Sequence, residues 1–271
     1  MRYAAAALVF GLSTVAWGQN DLSGFDQFPQ FRSLSGLPGG GFGILRNGEP
    51  SFRGALAIST PIAHSLGPGR FAFVGANTSF NRSLGFDRTT REDTANSTAV
   101  GMFGLSTPLG NLTTGGMVLS GIGDSVLNLH FSPRLQKEDE YSLQEGPKIA
   151  LGVGVQDVFS TGGSSGQNID LRVGGRTSRS FYAVATAELS PDIYVSLGTG
   201  TRRFKGIFGN ASVNVTPWLK GVAEYDAFNW NYGIAGSLFQ IPISSDRSVQ
   251  ATAFLGFVRG KHLTWSLGFS F

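Results

Sequence analysis

The residues with the best claim to chemistry are few. Three histidines, His64, His130 and His262, and many serines supply candidate bases and nucleophiles. Nucleophilic catalysis needs a nucleophile, a base and an orienting group held together. These residues are far apart in the chain, and no Gly-x-Ser-x-Gly elbow or His-Glu-x-x-His pair accompanies them. No catalytic, cofactor-binding or metal-ligating residue is therefore assigned, and with no cysteine and no close histidine spacing a metal centre has little to build on.

A second group is more informative. Lys220, Glu224 and Asp226 alternate with Leu219, Ala223 and Tyr225, and Asn229 and Asn231 follow across a short turn. At strand spacing this places an ammonium, two carboxylates and amides on one face. Such a face binds sugar hydroxyls or cations, or it pairs with arginines from facing strands and braces the fold. Arg202, Arg203 and Arg259 are the candidate partners, Gln156 and Asp157 are further polar candidates, and bracing is the favoured reading. Val222 breaks the pattern by falling on the polar face.

The elements that must carry these residues are strands. Leu263, Trp265, Leu267, Phe269 and Phe271 alternate with Thr264, Ser266, Gly268 and Ser270 at the end of the chain. Ile149, Leu151, Val153 and Val155 repeat the pattern against Ala150, Gly152 and Gly154. Soluble sandwiches alternate too, but they turn charged residues to water. Here the second face is Gly, Ser, Thr, Ala and Asn. That combination predicts a narrow, wet barrel interior and an apolar face turned to lipid, where closure leaves no backbone group unpaired.

Candidate strands fall near 71–80, 98–106, 114–122, 125–132, 147–158, 180–189, 192–200, 206–214, 219–226, 230–239, 248–258 and 262–271. The expectation is an all-β, single antiparallel transmembrane β-barrel of about twelve strands, with ten or fourteen the neighbouring even counts. An even count sets both ends on the periplasmic side. It then places the long stretches 81–96 and 160–179 outside, and leaves 133–146 as a long charged connection on the inner side.

The bulk composition agrees. Charged residues make up 14% of 271 residues, with 39 glycines, no cysteine and a formal charge of +3 that is not gathered in a patch. That distribution gives no nucleic-acid footprint. Residues 1–18 read as a signal peptide, with Arg2, an apolar run from Ala4 to Leu12 and Ala16-Trp17-Gly18 as the cleavage site. Residues 19–70 read as an extended leader or a loosely packed, Gly-rich plug, including a segment near 52–60 that would otherwise make a thirteenth strand, and 71–271 as the barrel. Trp218, Tyr225, Trp230, Tyr232 and Trp265 are candidates for interfacial girdles. The final Trp265, Leu267, Phe269 and Phe271 resemble the signal by which barrel-assembly machinery recognises its clients.

Three stretches carry a family resemblance. Ser59-Thr60-Pro61-Ile62-Ala63-His64-Ser65-Leu66-Gly67-Pro68-Gly69-Arg70-Phe71 looks like a Thr-Pro-x-Ala entry, a Gly turn and a first strand. Gly152-Val153-Gly154-Val155-Gln156-Asp157-Val158, with Gly162 after it, looks like a Gly-x-x-Asp strand end. Ala223-Glu224-Tyr225-Asp226 with Asn229-Trp230-Asn231 looks like a Glu-Tyr-Asp hairpin. Together they resemble the YjbH-like family of outer-membrane β-barrels associated with exopolysaccharide biosynthesis operons. The resemblance implies an outer-membrane location and a role in export or organisation of surface polysaccharide. Its implied partners are outer-membrane lipid, the assembly machinery, and polysaccharide or envelope export proteins. A small porin-like conduit fits the same sequence. The alternatives are a structural or adhesive barrel acting through its outer loops and, behind it, a barrel-embedded lipid-modifying enzyme. No cofactor is expected.

Overall fold

The computed structural model describes residues 34, 36–78, 97–119, 125–134, 148–160, 179–227, 229–244, 247–258, 260 and 262–271. The predicted signal peptide, the predicted outer loop 81–96, residues 161–178 of the second outer loop, residues 135–146 of the charged connection and Arg259 lie outside these residues.

Period-two alternation becomes twelve strands: β1 Phe71–Thr78, β2 Ser97–Thr107, β3 Gly110–Leu119, β4 Ser125–Pro133, β5 Lys148–Gln156, β6 Ser180–Ser190, β7 Ile193–Gly200, β8 Gly206–Thr216, β9 Leu219–Tyr225, β10 Trp230–Ser244, β11 Arg247–Val258 and β12 His262–Ser270. Each pairs antiparallel with its sequence neighbours, and β1 pairs with β12 to close the ring. Phe71 and Phe271 finish the closure, each N–H donating to the other's carbonyl at 2.9 Å.

The outward row carries the apolar side chains. Phe73, Phe103, Leu151, Val153, Leu197, Leu255, Leu267 and Phe269 are all exposed. A closed sheet with this exterior has no unpaired edge and a belt matched to hydrocarbon, which is how a chain spans the bacterial outer membrane. Tyr225, Trp230 and Tyr232 cluster on the outer face at the β9–β10 turn, with Tyr225 and Trp230 rings 5.4 Å apart. Trp218 is 61% exposed at the opposite rim.

The β10–β11 hairpin runs further than its alternation predicts. Pairing of β10 with β9 ends at Gly236↔Leu219, whereas pairing with β11 continues to Ser244↔Arg247. Pro242 sits in this extension, where one side has no wall neighbour. A residue without a backbone N–H is tolerated there.

The interior differs from the wet lumen expected of it. Barrels of about eight strands are filled by their own side chains, and a wider ring needs something more. Here residues 36–66 fold back and forth inside the wall. Leu37, Phe42, Ile44, Leu56, Ile62 and Leu66 are each at most 1% exposed, so this plug is densely packed. It contains no strand. Its internal order comes from turns and isolated bridges, Gly40↔Ala57, Ile44↔Pro50 and Ile44↔Ala55. Gly41 and Gly48 adopt φ of +83° and +86°, and a Cβ on Gly48 would meet the backbone of Gly67 at 2.5 Å. Only glycine makes that turn.

The inner wall is not uniformly small and polar either. Val74, Val100, Met102, Met117 and Val126 on β1–β4 pack against Leu34, Phe42 and Ile44 of the plug side. Val222, the apparent exception on β9, joins Phe52, Leu56 and Ile58 in a second apolar cluster. The plug supplies the reason for an apolar residue on an otherwise polar face.

Candidate functional site

A coil buried inside a barrel must satisfy its backbone without a sheet. The polar side chains of the wall do this. Thr113 Oγ1 accepts the Leu66 N–H at 2.8 Å, Thr186 Oγ1 the Ala63 N–H at 2.8 Å, and Ser212 Oγ the Leu56 N–H at 3.2 Å. Carbonyls are met from the same wall: Asn128 donates to Gly36 O at 3.1 Å and Asn214 to Arg53 O at 3.0 Å. Among the described residues, backbone-to-backbone bonds join this segment to a wall strand at its root alone, where residues 69–70 enter β1 and Gly69 and Arg70 bond to Gly104. The small hydroxyl residues of the inner face are therefore ligands for a main chain.

Glu224, near the end of β9, is the densest such point. Its Oε2 accepts the N–H groups of Ile58, Ser59 and Thr60 at 3.0, 2.9 and 3.0 Å, and the Thr60 hydroxyl at 2.8 Å. Oε1 accepts the Ser59 hydroxyl and the Asn231 amide, the latter at 2.7 Å. Three successive amides of one coil converge on one carboxylate, so a buried charge is matched by charge-assisted bonds. Asn210 extends the contact by donating to Thr60 Oγ1 at 2.8 Å.

Lys220 holds the other limb of the plug. Its Nζ donates to Gly54 O and lies over the Phe52 and Tyr194 rings at 5.4 and 5.8 Å from their centroids. A buried ammonium is tolerated where a carbonyl and ring faces replace its water.

Asp226 faces a different partner. Arg203, buried in the short 3-10 turn η1 (Arg202–Phe204), approaches Asp226 Oδ2 at 3.4 Å and donates to the Asp226 carbonyl at 2.6 Å. Asn231 donates to both carboxylates, reaching Asp226 Oδ2 at 3.3 Å, and so couples the two groups. Asn229 stands at the turn, its N–H on Asp226 Oδ1 at 2.9 Å. Arg202 is part of η1 with φ of 51° and is only partly buried. Gln156 and Asp157 are fully buried at the end of β5, on another arc of the wall, where the Asp157 N–H meets Asn128 Oδ1 at 3.0 Å.

The structure thus brings Glu224, Asp226 and Asn231 together with Arg203, sets Lys220 apart on Gly54, Phe52 and Tyr194, and keeps Gln156 and Asp157 on another arc. Sequence reasoning missed Ser59, Thr60 and Gly54. They act mainly through backbone atoms, which leave no side-chain signature, although the Ser-Thr pair before Pro61 offered a hint.

Of the histidines, His64 Nδ1 lies 2.9 Å from Ile44 O within the plug, and burial pushes its pKa down to about 4. His130 Nδ1 lies 2.9 Å from the Tyr182 hydroxyl, and its Nε2 is 3.3 Å from both Ala63 O and Ser132 Oγ. Ser132 itself donates to Ala63 O and is 2.8 Å from Ser65 Oγ. These groups tie the plug to β4 and β6.

No protein-family model matches the chain, and no curated protein matches it. Among solved structures it is similar to the KdgM porin, at 11% identity over 74% of this chain and 98% of that one, with a TM-score of 0.46. It is also similar to the NanC porin, at 8% identity over 74% and 98% with a TM-score of 0.40. A third is the outer membrane protein Omp33 of Acinetobacter baumannii, at 11% identity over 75% and 97% with a TM-score of 0.36.

Proposed function

We propose that this protein is a porin-like outer-membrane conduit held shut by its own N-terminal plug. The observation that carries the reading is the way the plug is fastened. Apart from its root, the hydrogen bonds joining it to the wall among the described residues involve side chains, nearly all of them wall side chains centred on Glu224, with the Ser65 hydroxyl on Asn111 O at 3.2 Å as the exception. Every wall strand is paired only with other wall strands. The plug can therefore leave without opening the sheet, and its departure uncovers a polar arc from β8 to β12 that includes Asn210, Glu224, Asn231, Gln250, Thr252 and Ser266.

Such an arc binds polar solutes weakly and releases them, as transport without covalent chemistry requires. Carbohydrate is the solute class we favour, in export or organisation of surface polysaccharide alongside envelope export proteins. The resemblance of residues 59–71, 152–158 and 223–231 to the exopolysaccharide-associated family supports it. A second reading is a permanently filled structural or adhesive barrel, and the apolar contacts of Phe52, Leu56 and Ile58 with Val222 and Phe254 favour it.

Planar-bilayer conductance separates the two. The chain has no cysteine, so Ser59→Cys with Asn231→Cys places a clean tether between plug and wall. The conduit reading expects openings in the reduced protein that disappear on oxidation. Silence in the reduced protein, and in a variant lacking residues 34–66, would leave the filled barrel standing.

A further inference from the structure

Among the described residues, one seam of the wall carries a shorter ladder than the rest. Strands β4 and β5 pair at Leu129↔Val155, His130↔Gly154 and Phe131↔Val153, and past Gln156 the contact continues through the Asp157 N–H on Asn128 Oδ1 at 3.0 Å and the Val158 N–H on Leu127 O at 2.9 Å. The other neighbouring pairs share seven or more, from β1 with β12 at seven to β10 with β11 at eleven. Sheet closure is what keeps lipid out of a barrel, and here it rests on the shortest ladder.

On the outside of this seam lies an apolar groove of about 310 Å³, lined by Leu129, Phe131, Val153 and Phe181 and reaching His130 and Tyr182 of the inner face. The inner-face pair comes close because β5 carries glycine opposite it. A Cβ on Gly152 would meet the His130 ring at 2.6 Å, and one on Gly154 the Tyr182 hydroxyl at 2.2 Å. Behind them the barrier is a hydrogen-bonded contact of His130 with Tyr182 and of His130 with Ala63 of the plug. A second outer groove of about 330 Å³, at Ala223, Ile234, Leu255 and Leu263, serves as a contrast. It overlies β9–β12, where the seams carry seven, eleven and nine pairs.

We propose that the β4–β5 seam is a lateral portal that takes one acyl chain of a membrane amphiphile and admits it as far as His130 and Tyr182. The occupant follows from position: the groove is continuous with the lipid-facing belt and is lined mainly by apolar side chains, so an acyl chain already in the belt enters it without crossing water. The seam can part locally on the Phe131 side, because among the described residues its paired ladder is the shortest in the wall. This inference rests on the barrel wall and not on the gating of the plug.

The test uses the full chain in phosphatidylethanolamine–phosphatidylglycerol vesicles containing a phosphatidylcholine with a photoactivatable diazirine in one acyl chain. Label located by mass spectrometry should fall on His130 and Tyr182 as well as on Leu129 and Val153. At the contrast groove it should stop at the outer-face Leu255 and Leu263. Locking the seam with Phe131→Cys and Val153→Cys, or with Leu129→Cys and Val155→Cys, should lower inner-face label severalfold on oxidation and restore it on reduction. Absence of label from His130 and Tyr182 in the unmodified protein overturns the portal, as does inner-face label that oxidation leaves unchanged. Conductance is read separately, so a portal that fails and a gate that fails give different results.

Discussion

The Glu224 carboxylate on β9 accepts the backbone N–H of Ser59 at 2.9 Å, joining wall and plug across 165 positions of sequence. Replacing Glu224 with Gln preserves shape but turns one oxygen into a donor facing the amides and hydroxyls of Ser59 and Thr60. Breaking a buried, charge-assisted network costs about 3 kcal/mol, so plug release should rise by roughly a hundredfold. Open probability in planar bilayers measures this, and an unchanged value would remove Glu224 from the latch.

Lys220 should behave differently. Its ammonium donates to Gly54 O and otherwise rests on aromatic faces. Lys220→Met keeps the volume and removes a desolvated charge while leaving one carbonyl without its donor. The two effects are each on the order of 1–3 kcal/mol and oppose each other. Urea midpoints of the variant and the parent should therefore lie close together, in contrast to Glu224→Gln.

His64 gives the plug a dependence on pH. Its pKa is about 4 in the folded protein, because burial disfavours the charged ring, against 6.5 ordinarily. At pH 7 the ring is neutral in both folded and unfolded chains and nothing is lost. As pH falls below about 6.5 the unfolded chain takes up a proton that the folded chain refuses, and the loss is complete near pH 4. The stability removed is about 3 kcal/mol. Denaturant midpoints measured between pH 7 and pH 4 should fall, and His64→Gln should flatten this part of the decline.

Gly104 tests how closely plug and wall fit. A Cβ there would meet Gly67 O at 2.0 Å and Leu66 O at 2.6 Å, both backbone atoms. Gly104→Val should displace the last turn of the plug and destabilise it by about 2 kcal/mol, within the range for overpacking. Protease sensitivity of residues 45–66 should rise while the heat-modifiable mobility of the barrel on gels is retained.

Much of the wall was legible because lipid on one side and a filled interior on the other impose a period of two, as at Leu263 to Phe271. Register on β9 was legible for the same reason. What Lys220 and Glu224 hold was not, because their partners Gly54 and Ser59 contribute backbone atoms from a segment with no period of its own. Val222 breaks the alternation because Phe52 and Leu56 of the plug pack beside it, and that segment carries no period to announce them. The length of β10 was hidden by Pro242, which ends a central strand but not one with a free side.

The closing strand offers the last test. Phe71 and Phe271 exchange both backbone hydrogen bonds at 2.9 Å, and their rings lie 5.7 Å apart. Deleting Phe271 removes two ladder bonds and an aromatic contact at the seam that completes the ring, a loss of about 2–3 kcal/mol. If the terminal aromatic also serves as the assembly signal, the deletion should lower the amount of folded barrel in membranes far more than it lowers the stability of what does fold. Phe271→Ala should then repeat the assembly defect while keeping the two backbone bonds. Equal losses in assembly and in denaturant midpoint for the deletion, with normal assembly for the alanine variant, would reduce Phe271 to a closure residue alone.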